Sequence, residues 1–429
     1  MKFLKLNRCG YMLICICAAL EFCYIGVTWG FYHYNVDTWS YFGAFDVLLS
    51  GEIDASRPPL YPVFIGVCKA IAGSLINGAI LIVTIQCIVY MLSAFYLGKI
   101  CKEFISSDTL CFFIVLFYVL CPGLNTYNFY VSTESFAMSL SVMLIWCIIK
   151  AFRLKTAGWQ VAVWGISLAL IMLRPIFIFL VGIVPLCAVL IWYVKRTDKR
   201  FLYANCILAV ITIGAVVGYV YRMNMVYGVR SITMATTCNN YFLVRQSLST
   251  PGSDKLNNSE LIAFVDSAYM VSPELTMDDT YKEYDELINR FGREDVTDFA
   301  NGAISSNFKS IIPKIVGRFY NASHVSIFAT TPPTLVSYIW DFFVLSISFF
   351  YIVSIVWAIV LCRQFKASKN LNIVFLFMWL FYTCNLLIAI AGAQAEWGRL
   401  TLPCAVPMLI FIGWMFDHLK IEKTDDIDA

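Results

Sequence analysis

The sequence predicts an all-α polytopic membrane protein, a bundle of about ten transmembrane helices. Three observations predict it. Of 429 residues, 60% are hydrophobic and only 14% charged, where a soluble domain carries about 25%; mean hydropathy is +0.74. Apolar runs of membrane-crossing length recur along the chain with short polar segments between them. With the N-terminus in the cytoplasm and the sides alternating, every basic cluster beside a span falls on one side, as the positive-inside rule requires. The formal net charge is a modest +3 and there is no basic run of nucleic-acid type, which excludes a nucleic-acid partner. Thirty-four Phe and 24 Tyr suit a surface that faces membrane lipids and their interfaces.

The elements follow in order. A first helix is expected at about 11–29, retained because no small-x-small cleavage site follows the MKFLKLNR leader. The polar, aromatic loop 30–62 comes next. Pro58 and Pro59 mark a short interfacial helix, since a first helical turn needs no intrahelical N–H donor. Helices are then expected at about 78–98, 108–121 and 134–150, the second of these stopping at Cys121-Pro122-Gly123. Further helices fall at about 158–173, ending at Arg174-Pro175, and at about 176–194 and 201–221. The long polar region 222–335 contains helical stretches (SELIAFVDSAYM, YKEYDELINRFG, DVTDFANGAISSNF) and no alternating strands. The last helices are expected at about 336–361, 371–391 and 401–416, the final pair joined by GAQAEWGRL. This divides the chain into an N-terminal membrane core, 1–221, an extracytoplasmic helical region, 222–335, and C-terminal helices with a tail, 336–429.

The cytoplasmic segments then hold Lys2, Lys5 and Arg8; Lys99 and Lys102; Lys150, Arg153 and Lys155; the KRTDKR run at 195–200; Arg363, Lys366 and Lys369; and Lys420 and Lys423. Both termini are cytoplasmic on this scheme. The first loop, Glu134, Arg174, the long region and the Glu396/Arg399 loop lie outside. Most of the sixteen cysteines sit within apolar runs, where a free thiol behaves as a small hydrophobe. Cys238 alone is expected to be exposed in an outside segment, so no disulfide framework is expected. No CxxC pair occurs, and His33, His324 and His418 are too scattered for a metal site. Asn321-Ala322-Ser323 matches a glycosylation sequon, a triplet common by chance.

Carboxylates, aromatics and an arginine concentrate in Tyr32–Pro62. Asp37 follows the first helix, Tyr41 comes one helical turn later, and Arg57-Pro58-Pro59-Leu60-Tyr61-Pro62 closes the loop. Thr133-Glu134 opens a later helix, Leu173-Arg174-Pro175 separates two more, and Glu396-Trp397-Gly398-Arg399 precedes Leu402-Pro403 and Pro407. In this order the motifs resemble the C superfamily of polytopic glycosyltransferases (GT-C), in particular the protein O-mannosyltransferases and the lipid A aminoarabinose transferases. The resemblance covers the first six helices and the final hairpin, and no motif matches 222–335 or the helix after it. It implies a GT-C-like bundle that moves a sugar from a polyprenyl-phosphate donor to a lipid, glycan or protein acceptor at the extracytoplasmic face, with inversion. It also implies that Asp37 is the general base.

The residue types suit that chemistry. A carboxylate within hydrogen-bond reach of an acceptor hydroxyl can take its proton, and guanidiniums can hold a phosphate as charge develops on it. Arg57, Arg174 and Arg399 are the candidate phosphate-binding residues, Glu134 the second acid at the acceptor, and Tyr41, Tyr61 and Glu396 supporting residues. Each also has a plainer reading. Asp37 can cap the helix after it, Glu134 can meet a helix dipole, and Arg399 with Glu396 can form a structural ion pair. Arg57, Arg174 and Tyr61 can anchor at the headgroup level. Asp46, Glu52 and Asp54 are expected to be solvated.

Many relatives within the superfamily place a second acid beside the first-loop Asp. Here Thr38 stands there, so a divalent metal stays open as a cofactor. The short chain and minimal loops point to a bacterial inner membrane. Two alternatives remain open: a polymerase or ligase of lipid-linked oligosaccharides, and a flippase or transporter of a lipid-linked saccharide. A flippase would place charges near the middle of spans; Glu21 is the one residue that does so.

Overall fold

The computed structural model describes residues 5–195, 199–247, 259–271, 277–325, 347–368, 372–393 and 396–425. Among them the chain is helical throughout, with one isolated bridge, His33 to Tyr130. The protein is an all-α polytopic membrane protein. Seven helices are long and apolar enough to cross a membrane, or eight if the pair Asp108–Leu120 and Pro122–Phe129, bent by 54°, is one broken span. Ala157–Leu173 and Leu402–His418 are shorter apolar helices. Every expected span is met by a helix, and the start expected for the eighth, 336–346, lies outside the described residues.

The helices that meet the ten expected spans are α1 (Arg8–Thr28), α4 (Leu75–Phe104), α5 (Asp108–Leu120), α6 (Glu134–Leu154), α7 (Ala157–Leu173), α8 (Leu180–Lys195), α9 (Lys199–Tyr227), α15 (Ile347–Ser368), α16 (Ile373–Gly392) and α17 (Ala405–Asp425). Between α1 and α4 lie α2 (Val36–Leu49) and α3 (Leu60–Ala72). Side chains at N-caps start several helices: Asn7 accepts from Gly10 N–H, Ser74 from Asn77 N–H, and Ser107 from Leu110 N–H. Pro59 stands immediately before α3, and left-handed Gly73 ends it. α6 is the central post: nearly three quarters of its apolar window is buried, against 28–39% for α1, α4, α9 and α15, whose remaining faces are apolar and outward-facing.

The two ends of the bundle differ. At one end, Leu6 N–H donates to the Asp108 carbonyl, Asp417 accepts from Ser106 and Ser107, and Arg153 of α6 pairs with Glu103 of α4. At the other end lie the 30–62 loop, the broken Pro122–Phe129 segment, the start of α6, Arg174 and the Trp397–Leu400 turn. The basic clusters at 99–102 and 150–155 sit at the first end, and the candidate site residues at the second.

α9 is 29 residues long, about 44 Å, and so outruns a hydrocarbon core of about 30 Å. Beyond it come α10 (Met234–Ser247), α11 (Ser259–Val271), α12 (Met277–Phe291), α13 (Arg293–Ser306) and α14 (Phe308–Ser323). The three helical stretches expected in 222–335 are α11, α12 and α13. This region has its own core, built from Tyr241, Phe242, Leu261, Val265, Leu287 and Phe299 among others. Cys238 belongs to that core at 4% exposure, which corrects the expectation of an exposed thiol: the segment is a packed helix, with Cys238 on its inner face.

Candidate active site

The loop after α1 is pinned to the segment before α6. His33 N–H donates to the Phe129 carbonyl at 2.7 Å, and Val131 N–H to the His33 carbonyl at 3.0 Å. Thr38, one residue past Asp37, is buried and donates from Oγ1 to the Val131 carbonyl at 2.9 Å. Asn35 caps α2 in a reciprocal box with Thr38. The capping role foreseen for Asp37 therefore falls to Asn35, and Asp37 is free to point into the site. Thr38 is thus a structural clamp between the first loop and the segment before α6.

Gln86 of α4 fastens this joint from below. Its Nε2 donates to the Asn128 and Tyr130 carbonyls at 2.9 and 2.8 Å, and its Oε1 accepts from Tyr61 OH at 2.9 Å. Tyr61 is 1% exposed and packs edge-on against Tyr41 at 4.9 Å. It is a buried support, which corrects the alternative reading of Tyr61 as a belt residue at the interface.

Six charged side chains meet here. Asp37 Oδ1 lies 2.6 Å from Arg57 Nη2, and Oδ2 lies 2.8 Å from Arg399 Nη2. Arg399 Nε lies 3.2 Å from Glu134 Oε1, the same oxygen that Arg174 Nη1 approaches at 3.3 Å. Glu396 Oε2 sits 2.8 Å from Arg399 Nη2. Arg57 is held by Ser40, whose Oγ accepts from its Nε at 2.7 Å, and it stacks over the Tyr41 ring at 4.6 Å. Glu396 adopts left-handed φ of 59°, a sparsely populated conformation for a residue with a side chain. That turn brings Glu396 and Arg399 together.

Burial works against the charge on Asp37, yet Arg57 and Arg399 outweigh it and hold the carboxyl below its ordinary value of 3.8. Burial likewise opposes the charge on Arg399, and Glu134, Asp37 and Glu396 overcome it and push that guanidinium up. Glu134 is 2% exposed, and its Oε2 has no hydrogen-bond partner among the described residues. An acceptor-only oxygen buried in this way invites a donor.

All eight candidate residues named from the sequence lie in or directly against this cluster. Asp46 and Glu52 make no ion pair with it. Asp54 is not merely solvated: its Oδ1 accepts from Ser56 N–H, Ser56 Oγ and Arg57 N–H at 2.7–2.8 Å, forming the turn that presents Arg57. Sequence reasoning missed Ser40, Gln86 and Tyr281. Tyr281 lies on α12, in the α10–α14 region, where burial first, then Cys238, Asp37 and Glu396, push its phenol up. That region is tied to the loop before Arg57 by Met234 N–H to the Ala55 carbonyl and Tyr227 OH to the Ile53 carbonyl, both at 2.7 Å.

For a divalent metal the residues present do not fit. Asp37, Glu134 and Glu396 already engage guanidiniums, and among the described residues no group of three or more His, Cys, Asp or Glu is arranged to hold a metal ion.

No protein-family model and no curated protein matches the sequence. Among solved structures, the chain is similar to the archaeal oligosaccharyltransferase AglB from Archaeoglobus fulgidus, in complex with an inhibitory peptide and a dolichol-phosphate. The identity is 11% and the TM-score 0.47; the match covers 98% of this chain and 52% of that one, so the chain spans about half the length of that structure.

Proposed function

We propose that this protein is a membrane glycosyltransferase that moves a sugar from a polyprenyl-phosphate donor to a hydroxyl-bearing lipid, glycan or protein on the extracytoplasmic face. One observation carries the reading: four distant stretches of chain deliver Asp37, Arg57, Glu134, Arg174 and Arg399 to one end of an apolar helix bundle. A carboxylate beside several guanidiniums, at the ends of apolar helices, matches a base beside a phosphate leaving group. The same clustering at helix ends, away from mid-span, favours an enzyme over a flippase.

In the reaction, the acceptor oxygen attacks the anomeric carbon, the bond from that carbon to the phosphate oxygen breaks, and configuration inverts. Asp37 takes the hydroxyl proton. The electron pair leaves with polyprenyl phosphate, whose growing negative charge is held by Arg399 and Arg57. Glu134, through Oε2, accepts a hydrogen bond that orients the acceptor. No step is routed through a metal. The proposed extracytoplasmic face, where nucleotide sugars are normally absent, favours a sugar on a lipid phosphate as the donor. A bacterial inner membrane is the proposed location.

Sugar transfer in membrane vesicles supplied with polyprenyl-phosphate sugars tests this reading. Asp37→Asn is expected to lower transfer by about a thousandfold while the protein inserts and retains donor. Wild-type rates in that variant would overturn it, as would movement of labelled lipid across the bilayer with no new glycosidic bond.

A further inference from the structure

At the opposite end of the bundle two ammonium groups share one indole. Lys99 of α4 places Nζ 4.3 Å from the Phe95 ring centroid and 5.5 Å from those of Tyr96 and Trp146. Lys150 of α6 places Nζ 4.3 Å from the Trp146 centroid. The rings of Tyr96 and Trp146 lie 6.1 Å apart, so the aromatic floor runs from one helix to the other. Neighbouring cations are neutralised: Lys102 Nζ is 3.0 Å from Asp108 Oδ1, and Arg153 pairs with Glu103. Among the described residues, neither Lys99 nor Lys150 has a carboxylate partner; their partners are ring faces. A ring face attracts an ammonium without neutralising it, and leaves N–H donors for an anion.

The surface beside Lys99 is equally specific. Ile88, Leu92 and Phe95 are exposed on α4 and reach Lys99 in steps of four, three and four residues, which places them on one helix face. Two ammoniums without carboxylate partners among the described residues thus sit at the end of an apolar track. Lys150 is about sixteen residues beyond Glu134 on α6, and so about 24 Å from the acid–arginine cluster along the helix axis.

We propose that Lys99, Lys150 and Trp146 form a binding site for an anionic glycerophospholipid, with its phosphodiester between the two ammoniums and an acyl chain along Ile88, Leu92 and Phe95. A soluble anion would use the lysines and ignore the track. A zwitterionic lipid brings its own cation to a place that already has two. The site is separate from the proposed reaction and does not depend on it.

Native mass spectrometry of the full chain in detergent tests the site, with phosphatidylglycerol and phosphatidylcholine titrated in parallel. Wild type is expected to retain phosphatidylglycerol selectively. Lys99→Gln with Lys150→Gln is expected to weaken that retention about thirtyfold, whereas Lys99→Arg with Lys150→Arg keeps it and Lys102→Gln leaves it unchanged. Leu92→Glu, on the track, is expected to weaken it with both lysines intact. Equal retention by wild type and the double Gln variant would overturn the proposal. So would equal binding of phosphatidylcholine, full competition by inorganic phosphate, or displacement by polyprenyl phosphate at matched concentration.

Discussion

Asp37 gives one carboxylate oxygen to Arg57 and the other to Arg399, and its response to pH follows from that. Its folded value is depressed below the ordinary 3.8, so its contribution to stability is fully present above that value and is lost as pH falls through the folded value. The melting-temperature gap between wild type and Asp37→Asn should therefore stay constant from pH 7 to about pH 4 and close only below it; a gap closing near pH 6 would contradict the pairing. Glu134 lies deeper, with two guanidiniums on one oxygen. Glu134→Gln leaves those cations without their counter-charge and should cost about 3 kcal/mol, read as thermal unfolding in detergent. These charged residues were legible in the sequence because a charge at the edge of an apolar run is costly unless it is used. Ser40, Gln86 and Tyr281 were not, because an uncharged polar or aromatic residue near a span carries no such signal, and only the fold shows what it touches.

The helices that carry these residues are spaced by close contacts. A Cβ on Gly66 of α3 would meet Phe45 Cγ of α2 at 2.2 Å, and α2 carries Asp37. Gly66→Ala should force the two helices apart, costing about 1–3 kcal/mol and lowering transfer, measured together as melting temperature and rate. The link between the end of α9 and the first loop is lighter. Tyr227→Phe removes one hydrogen bond to Ile53, worth about 1 kcal/mol, and should speed amide exchange across residues 52–57 while leaving the bundle protected. Helix existence was legible from apolar runs, and the start of α3 from Pro58-Pro59. The break at Pro122–Phe129 was read as a turn, but its pairing with His33 was not foreseen, because a single bridge between distant segments leaves no periodicity. The misplaced Cys238 has a similar cause: a polar stretch around it hid a small core whose members are spread from Cys238 to Ala303.

Across the whole molecule, the alternation of basic loops gave the grouping of segments at two ends, and the structure has that grouping in its contacts. Which end faces the cytoplasm is open to a direct measurement. In cells, Glu52→Cys, on an otherwise cysteine-free background, should react with a membrane-impermeant maleimide, and Lys155→Cys only after the membrane is opened; the reverse pattern would invert the proposed topology. The sequence also indicated which residues share an end, but not that they touch, since that depends on the tilt and depth of four separate helices. One property of the resulting cage emerges only from the assembled charges. Arg57, Arg174 and Arg399 face Asp37, Glu134 and Glu396, so the resting cage carries no surplus charge and exerts little pull on a phosphate at a distance. For the proposed donor, entry is then a substitution of one counter-ion for another. Each guanidinium that turns to the phosphate abandons a carboxylate, and a carboxylate abandoned in a buried place gains affinity for a proton. The arrival of the donor would thereby prime the base that its own reaction requires.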